Sequence, residues 1–365
     1  MAGTPVRPGQ ANVTGSATVN FLKLFAGEVI AAFKDSNVMQ DIVTVRSISA
    51  GKVATFPNTG KAGAFYHTPG VNIVEGTLTS TIATNERLIY VDNRLISAVL
   101  LDNWDEAVAH WDFRSVYSTE LGRALAKRYD QLALNTTILA ARAASNLTNG
   151  SGTAIASGGS VTDANLGTQG QNLINALFSS AQILDQNDVP KDERYCVVTP
   201  AMFYNIIRDP SVQAIYNTSA TAVAYQNPAV FPLTVTTSQG PQFQTSYPMV
   251  AGGLADWGRG TIVGGMVAGF IVLPSNHLPN GVNIASGDTF FGTGAASANG
   301  NVYYGDFTNT RGVAFHKSAL GVVQLRGLTV EQAYMLEYQA DLVVAKLMIG
   351  MGILRPEAAV ELKIA

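Results

Sequence analysis

The side chains best suited to metal or nucleophilic chemistry are few and scattered: His67, His110, His277, His316 and a single cysteine, Cys196. A zinc site needs ligands at short helical or loop spacing, and neither an H-E-x-x-H run nor a closely spaced histidine pair is present. Cys196 sits in Arg194-Tyr195-Cys196-Val197-Val198, an apolar run where a thiol reads as a small buried hydrophobe. One cysteine also rules out an intrachain disulfide framework. Phosphate chemistry would need a glycine-rich cradle whose lysine is followed by Ser or Thr. Here Gly51-Lys52 is followed by Val53 and Gly60-Lys61 by Ala62, and Arg46 stands where the first would need its leading glycine. Neither a G-x-S-x-G elbow nor a G-x-G-x-x-G turn occurs, and the acids are too dispersed to nominate a catalytic pair. No enzyme chemistry and no cofactor or metal is expected.

What remains is architecture. The longest candidate element is Asp102–Ala144. Asp102-Asn103 offer N-caps, Asp105 and Glu106 suit a first turn, and Phe113, Tyr117, Leu121, Leu125, Tyr129 and Leu132 recur at steps of three or four. Arg114, Glu120, Arg123, Lys127 and Arg128 fall mostly on the other faces, and Gly122 is the only glycine. About thirty such residues make a rod of roughly 45 Å. Upstream, Met1–Asn20 reads as a loosely held arm, followed by Phe21, Phe25, Val29 and Phe33 at four-residue spacing. A tethered amphipathic helix of this kind docks on a neighbour or on its own subunit, and the spacing serves both equally.

From Thr44 to Arg94 two β-rich runs, Thr44–Phe56 and Gly76–Asp92, flank a loop with Pro57, Asn58, Gly60, Gly63, Pro69 and Gly70. This is the pattern of an extended hairpin, which is marginal in water without support from another surface. Beyond the long helix, Asn146–Gly170 reads as loop, Asn172–Gln186 as an amphipathic helix and Tyr195–Val198 as a buried strand. Thr199-Pro200 then opens a helix to about Arg208 as N-cap and N1 proline. Ser211–Asp256 and Asn280–Asn309 are loop-rich. Around Leu328–Gln332 a capping-box spacing competes with strand-like alternation, and local sequence does not decide between them.

The bulk numbers narrow the function classes. Of 365 residues 47% are hydrophobic and only 13% charged, about half the usual share, so much of the surface is expected to be covered by neighbours. A net charge of −3 gives no basic footprint for nucleic acid. Met1–Asn20 lacks the apolar core of a signal peptide, and the most apolar run, Leu342–Leu354, contains Lys346 and is short of the roughly 18 residues that span a bilayer. The expectation is a soluble protein made in the cytoplasm with no membrane partner.

Four blocks carry a resemblance to the major capsid proteins of tailed phages, in particular the T7-like short-tailed podoviruses (autographivirus group). The first is Phe21-Leu22-Lys23-Leu24-Phe25-Ala26-Gly27-Glu28-Val29 with Val45-Arg46-Ser47-Ile48-Ser49-Ala50-Gly51-Lys52 and Phe56-Pro57. The second is Trp111-Asp112-Phe113-Arg114-Ser115 leading to Leu121-Gly122, and the third, looser, is Tyr195–Arg208. The fourth and most specific joins Phe315-His316-Lys317-Ser318-Ala319-Leu320-Gly321, Gln339-Ala340-Asp341, Ala345-Lys346 and Leu354-Arg355-Pro356-Glu357-Ala358-Ala359.

The resemblance implies an α+β chain of the HK97-type phage capsid fold. Residues 1–43 would form the N-terminal arm and 44–94 the extended loop hairpin. Residues 95–186 with 311–365 would form the peripheral domain with the spine helix, and 187–310 the axial domain. It also tips Leu328–Ala359 toward strands. It implies self-association into hexamers and pentamers of an icosahedral virion shell, a scaffolding protein during assembly, a portal protein, and enclosed double-stranded DNA held without sequence-specific binding. Inter-subunit contacts are expected from Phe21, Phe25, Val29, Phe33, Arg46, Lys52, Lys61, Tyr66 and Arg87. Some relatives crosslink through a lysine and an asparagine. Lys52 and Lys61 lie in the hairpin, but no motif marks a partner, so assembly is expected to be non-covalent. An encapsulin-like nanocompartment shell, which shares the fold, is the alternative.

Overall fold

The computed structural model describes residues 17–60, 62–64, 66–70, 72, 82, 84–102, 113–145, 157–208, 266–285 and 300–365. Its backbone is ordered around the helix α2, Phe113–Arg142, which follows the shorter helix α1, Ala17–Ser36. From Leu121 onward the apolar steps of α2 face inward, with Leu121, Leu125 and Tyr129 buried and Arg123 and Lys127 in the open, whereas Tyr117, expected on the same face, is exposed. From Leu132 to Ile138 every residue is buried, including Asn135, Thr136 and Thr137. A helix buried all round must satisfy its polar side chains internally. The two threonine hydroxyls donate back to the Leu132 and Ala133 carbonyls at 2.8 Å, and Asn135 Nδ2 donates to the Tyr303 carbonyl at 3.1 Å. At the C-terminal end, where the helix dipole favours a cation, Arg142 donates to both carboxylate oxygens of the buried Glu361 (2.6 and 2.8 Å) and to the Asp306 carbonyl (2.6 Å).

Helix α1 lies on α2 through Val29 and Phe33, both buried, with the Phe33 ring edge-on to Tyr129 at 6.1 Å. Gly122 makes the crossing close: a Cβ there would sit 2.5 Å from the Val29 carbonyl oxygen. The exit of α1 is pinned by the fully buried Asp130 of α2, which accepts from the Val38 and Met39 amides at 3.0 Å each and meets His277 Nδ1 at 2.8 Å.

Two sheets flank this pair of helices. The first has four strands in the order β1-β12-β13-β4: Thr44–Ser47, Leu320–Met335, Ala340–Ile353 and Leu95–Asp102. Only the β1–β12 pairing is parallel. The second has six strands in the order β5-β14-β11-β6-β8-β7: Gly159–Thr162, Ala359–Lys363, Thr310–His316, Arg194–Val198, Phe270–Pro274 and Met266–Val267. The helices α3, Gly170–Gln186, and α4, Pro200–Arg208, pack beside it, and β9, Asn283–Ile284, pairs with β10, Gly305–Asp306. Strands from 95–186, 187–310 and 311–365 thus share one sheet.

The extended hairpin is β2, Val53–Thr59, against β3, Thr84–Tyr90, in antiparallel register from Val53↔Tyr90 to Thr59↔Thr84. β2 runs straight through Pro57, which sequence reading took as a break. A two-stranded ribbon has an open edge on each strand, so the missing N–H there costs little.

Other expectations are corrected. Asp102 ends β4 and α2 is described from Phe113; Asn103, Asp105 and Glu106 lie outside the described residues. The loop read over Asn146–Gly170 contains β5, paired in parallel with β14. The strands that the resemblance implied over Leu328–Ala359 are borne out: the capping-box spacing at Thr329 and Gln332 lies inside β12, paired to β13. The Ser211–Asp256 loops lie outside the described residues.

Candidate assembly surface and the hairpin root

The hairpin reaches the body through two short linkers, 48–52 and 91–94. Its base does not project freely. Ala54, Ile89 and Val91 are buried with Val323 of β12, flanked by Phe56, Leu325, Met348 and Leu354. Glycines make this crossing possible. A Cβ at Gly350 would sit 1.8 Å from the Tyr90 carbonyl oxygen, and one at Gly352 would meet the Ile89 side chain at 2.7 Å. The Val91 amide donates to the Lys52 carbonyl at 2.7 Å and the Asp92 amide to the Ile349 carbonyl at 2.9 Å, so both linkers are tied together and to β13.

Beside that crossing lies a polar cluster. The buried Asn301 donates through Nδ2 to the Tyr90 carbonyl (2.6 Å) and to Asp92 Oδ1 (2.8 Å), and accepts from the Tyr90 amide (3.3 Å). The Tyr303 hydroxyl, also buried, donates to Asp92 Oδ2 and accepts from the Met351 amide at 3.0 Å. Burial pushes the Asp92 carboxyl up to about 6, against the downward pull of the Tyr303 and Asn301 bonds. Burial likewise pushes the Tyr303 hydroxyl well up, with the Asp92 charge adding to it.

Of the residues expected to meet other subunits, Val29 and Phe33 are used inside their own chain against α2. Phe21 and Phe25 lie on α1 with side chains outside the described set, as does Lys61 altogether. Arg46 is exposed, stacks 5.4 Å over the Phe56 ring and donates to the Thr55 carbonyl at 2.5 Å. Arg87 is the register partner of Phe56, half-buried, and its Nε has no hydrogen-bond partner among the described residues. Lys52 is exposed at the hairpin root, and Tyr66 stands fully in solvent. The structure therefore brings Arg46, Phe56 and Arg87 together and leaves Tyr66 apart.

Sequence reading missed a second apolar surface. At the tip of the β12–β13 hairpin Leu336 is 73% and Tyr338 60% exposed, with Tyr334 and Met335 beside them. Tyr334 and Gln339 share a hydrogen bond (3.1 Å), and Gln339 adopts φ 50°, so the tip is a built turn. Next to it, β4 buries Val99 and Leu101 partly against the core and points Ile96 and Leu100 outward. Large apolar residues in a turn, where Gly, Asn or Asp are usual, were the available signal. Between α1, β1 and the four-stranded sheet a groove of about 390 Å³ is lined by Ile30, Phe33, Val45, Tyr129, Leu328 and Leu347 among others. Among the described residues no three His, Cys, Asp or Glu gather to hold a metal, and no helix is long and apolar enough to cross a membrane. Cys196 is fully buried, which pushes its thiol far up.

A spine helix, a discontinuous pair of sheets and an extended hairpin define a phage capsid subunit of the HK97-type fold. The capsid structure of the cyanophage P-SCSP1u matches at a TM-score of 0.66 with 30% identity, covering 100% of this chain and 99% of that one. The family model Gp10A-like, major capsid protein, matches residues 55–227 and 211–363, and the chain belongs to that family. The major capsid protein of Escherichia phage T7 is 30% identical over 351 residues, 94% of this chain and 92% of the relative. That of Enterobacteria phage T3 is 30% identical over 357 residues, 93% and 90%. The protein is accordingly a major capsid protein of a tailed phage that self-assembles into the virion shell, a structural role. The cargo-enclosing alternative is not favoured.

Proposed function

We propose that copies of this chain form hexamers and pentamers of an icosahedral shell, assembled non-covalently in the host cytoplasm. A scaffolding protein guides assembly, a portal protein occupies a vertex, and double-stranded DNA is enclosed without sequence-specific contact. Residues 1–43 act as arm, 44–94 as extended hairpin, 95–186 with 311–365 as the peripheral part and 187–310 as the axial part. The observation that carries this reading is the set of large apolar side chains left open at separated points, Tyr66 in the hairpin loop and Leu336 and Tyr338 at the β12–β13 tip. At the β12–β13 tip Tyr334, Met335, Leu336 and Tyr338 together expose a clustered apolar surface, which on a charge-poor protein supports an association face. Lys52 and Arg87 place cations along the hairpin, with Arg46 of β1 beside its root, for the polar rim of such contacts.

The test is negative-stain electron microscopy of the protein expressed alone and with a candidate scaffolding protein. Closed shells or capsomer rings are expected, and a soluble monomer under both conditions would overturn the reading. Denaturing gels of the shells should show a single monomer band; a boiling-resistant ladder would instead mean covalent crosslinks.

A further inference from the structure

We propose that Asp92 is a protonation-controlled latch on the exit hinge of the extended hairpin. It lies two residues beyond the end of β3, inside the linker to β4, so it is covalently the hinge. Its carboxylate is held by Asn301 and Tyr303, and Tyr303 in turn is bonded to Met351 of β13. Three segments remote in sequence therefore meet at one ionisable group: the hairpin root, the 301–303 stretch and the central strand of the four-stranded sheet.

The chemistry favours the neutral acid when the latch is closed. The groups bonded to the carboxyl are the Asn301 amide and the Tyr303 hydroxyl, and neither is a cation. On β13, Lys346 is engaged with Glu331, and Arg94 of the linker also bears on Glu331. When Asp92 takes a proton from solvent, its new O–H needs an acceptor. The Tyr303 oxygen accepts it and turns its own hydrogen to the Met351 carbonyl, 3.3 Å away, keeping its bond from the Met351 amide (3.0 Å). No donor is stranded. When Asp92 ionises, the desolvated charge has two hydrogen bonds and no counter-ion, and it gains most by reaching water, which requires the hinge to open.

The sign follows from linkage. The closed latch holds its proton up to about 6, whereas an open, solvated carboxyl loses it at 3.8. The closed form is therefore fully favoured below the lower value, loses ground as pH rises between the two, and levels off above the higher one. Between about pH 5 and pH 7 the hinge should open about tenfold more often. The hairpin is then held stiffly in acid and presented more loosely at neutral pH. This is a property of the single subunit and does not depend on how shells assemble.

Hydrogen exchange of the full chain, read by mass spectrometry on a peptide covering residues 88–94 and normalised for intrinsic rates, tests it. Protection of the Val91 and Asp92 amides should fall about tenfold from pH 5 to pH 7, while that of α2 stays level. In Asp92→Asn the fall should vanish. A flat profile in the unaltered chain, or the same fall in Asp92→Asn, overturns the proposal. Should that variant not fold, Tyr303→Phe provides the second reading. Losing the hydroxyl donor disfavours the ion further, so the pH at which the opening levels off should move up; an unmoved midpoint also overturns it.

Discussion

Single atoms decide how closely the hairpin sits on the body. At Gly350 there is no room for any side chain, because the Tyr90 carbonyl occupies the place of a Cβ at 1.8 Å. Gly350→Ala must lift the hairpin root off β13 and break the Asp92 amide bond to Ile349, at a cost of about 3 kcal/mol or more. Gly27→Ala is the matched control, since nothing lies within 4 Å of its added methyl in α1, and it should gain about 0.5–1 kcal/mol. Urea unfolding of the two variants should move in opposite directions, and equal shifts would mean the crossing is looser than described. Nothing in the sequence distinguished Gly350 from Gly352 or from the other glycines of the apolar tail. Which glycine faces a carbonyl depends on the register of β13 and on a hairpin some 260 residues earlier, and neither is a local property. The Asp92 cluster was unreadable for the same reason, its members coming from separate segments.

At the scale of elements, periodicity was read well and partners poorly. The spacing of Phe21, Phe25, Val29 and Phe33 marked a helix but left its partner open, and Val29 and Phe33 turn out to face α2 of the same chain. Phe33→Ala should therefore destabilise the isolated subunit by about 3–5 kcal/mol, measured by denaturant midpoint before any assembly. An unchanged midpoint would mean that the helix is held by neighbours instead. The spine helix, α3, α4 and β6 were all legible: the helices from their apolar period, α4 also from Thr199-Pro200, and β6 from its short apolar run. Strand β4 was missed because Leu95–Asp102 is apolar on both faces, Ile96 and Leu100 outward and Val99 and Leu101 inward, so no alternation betrayed it.

For the molecule as a whole, composition indicated surfaces that neighbours cover, and the motif blocks indicated which architecture. With 13% charged residues and a net charge of −3, the chain has little to offer a polyanion. Isolated capsomers should show no tight binding to double-stranded DNA at physiological salt in a gel-shift titration, and tight binding would count against an inert inner wall. The order of strands has a further consequence, in the time of synthesis. Both central strands of the four-stranded sheet, β12 and β13, come from Leu320–Ile353, and β14, inside the six-stranded sheet, from Ala359–Lys363. β1 and β4 are thus made some 250 residues before the strands that join them, a wait of roughly 10–50 s on the ribosome. A nascent chain, or one broken off before Leu320, therefore lacks both central strands of the first sheet and an inner strand of the second, and cannot complete either sheet by itself.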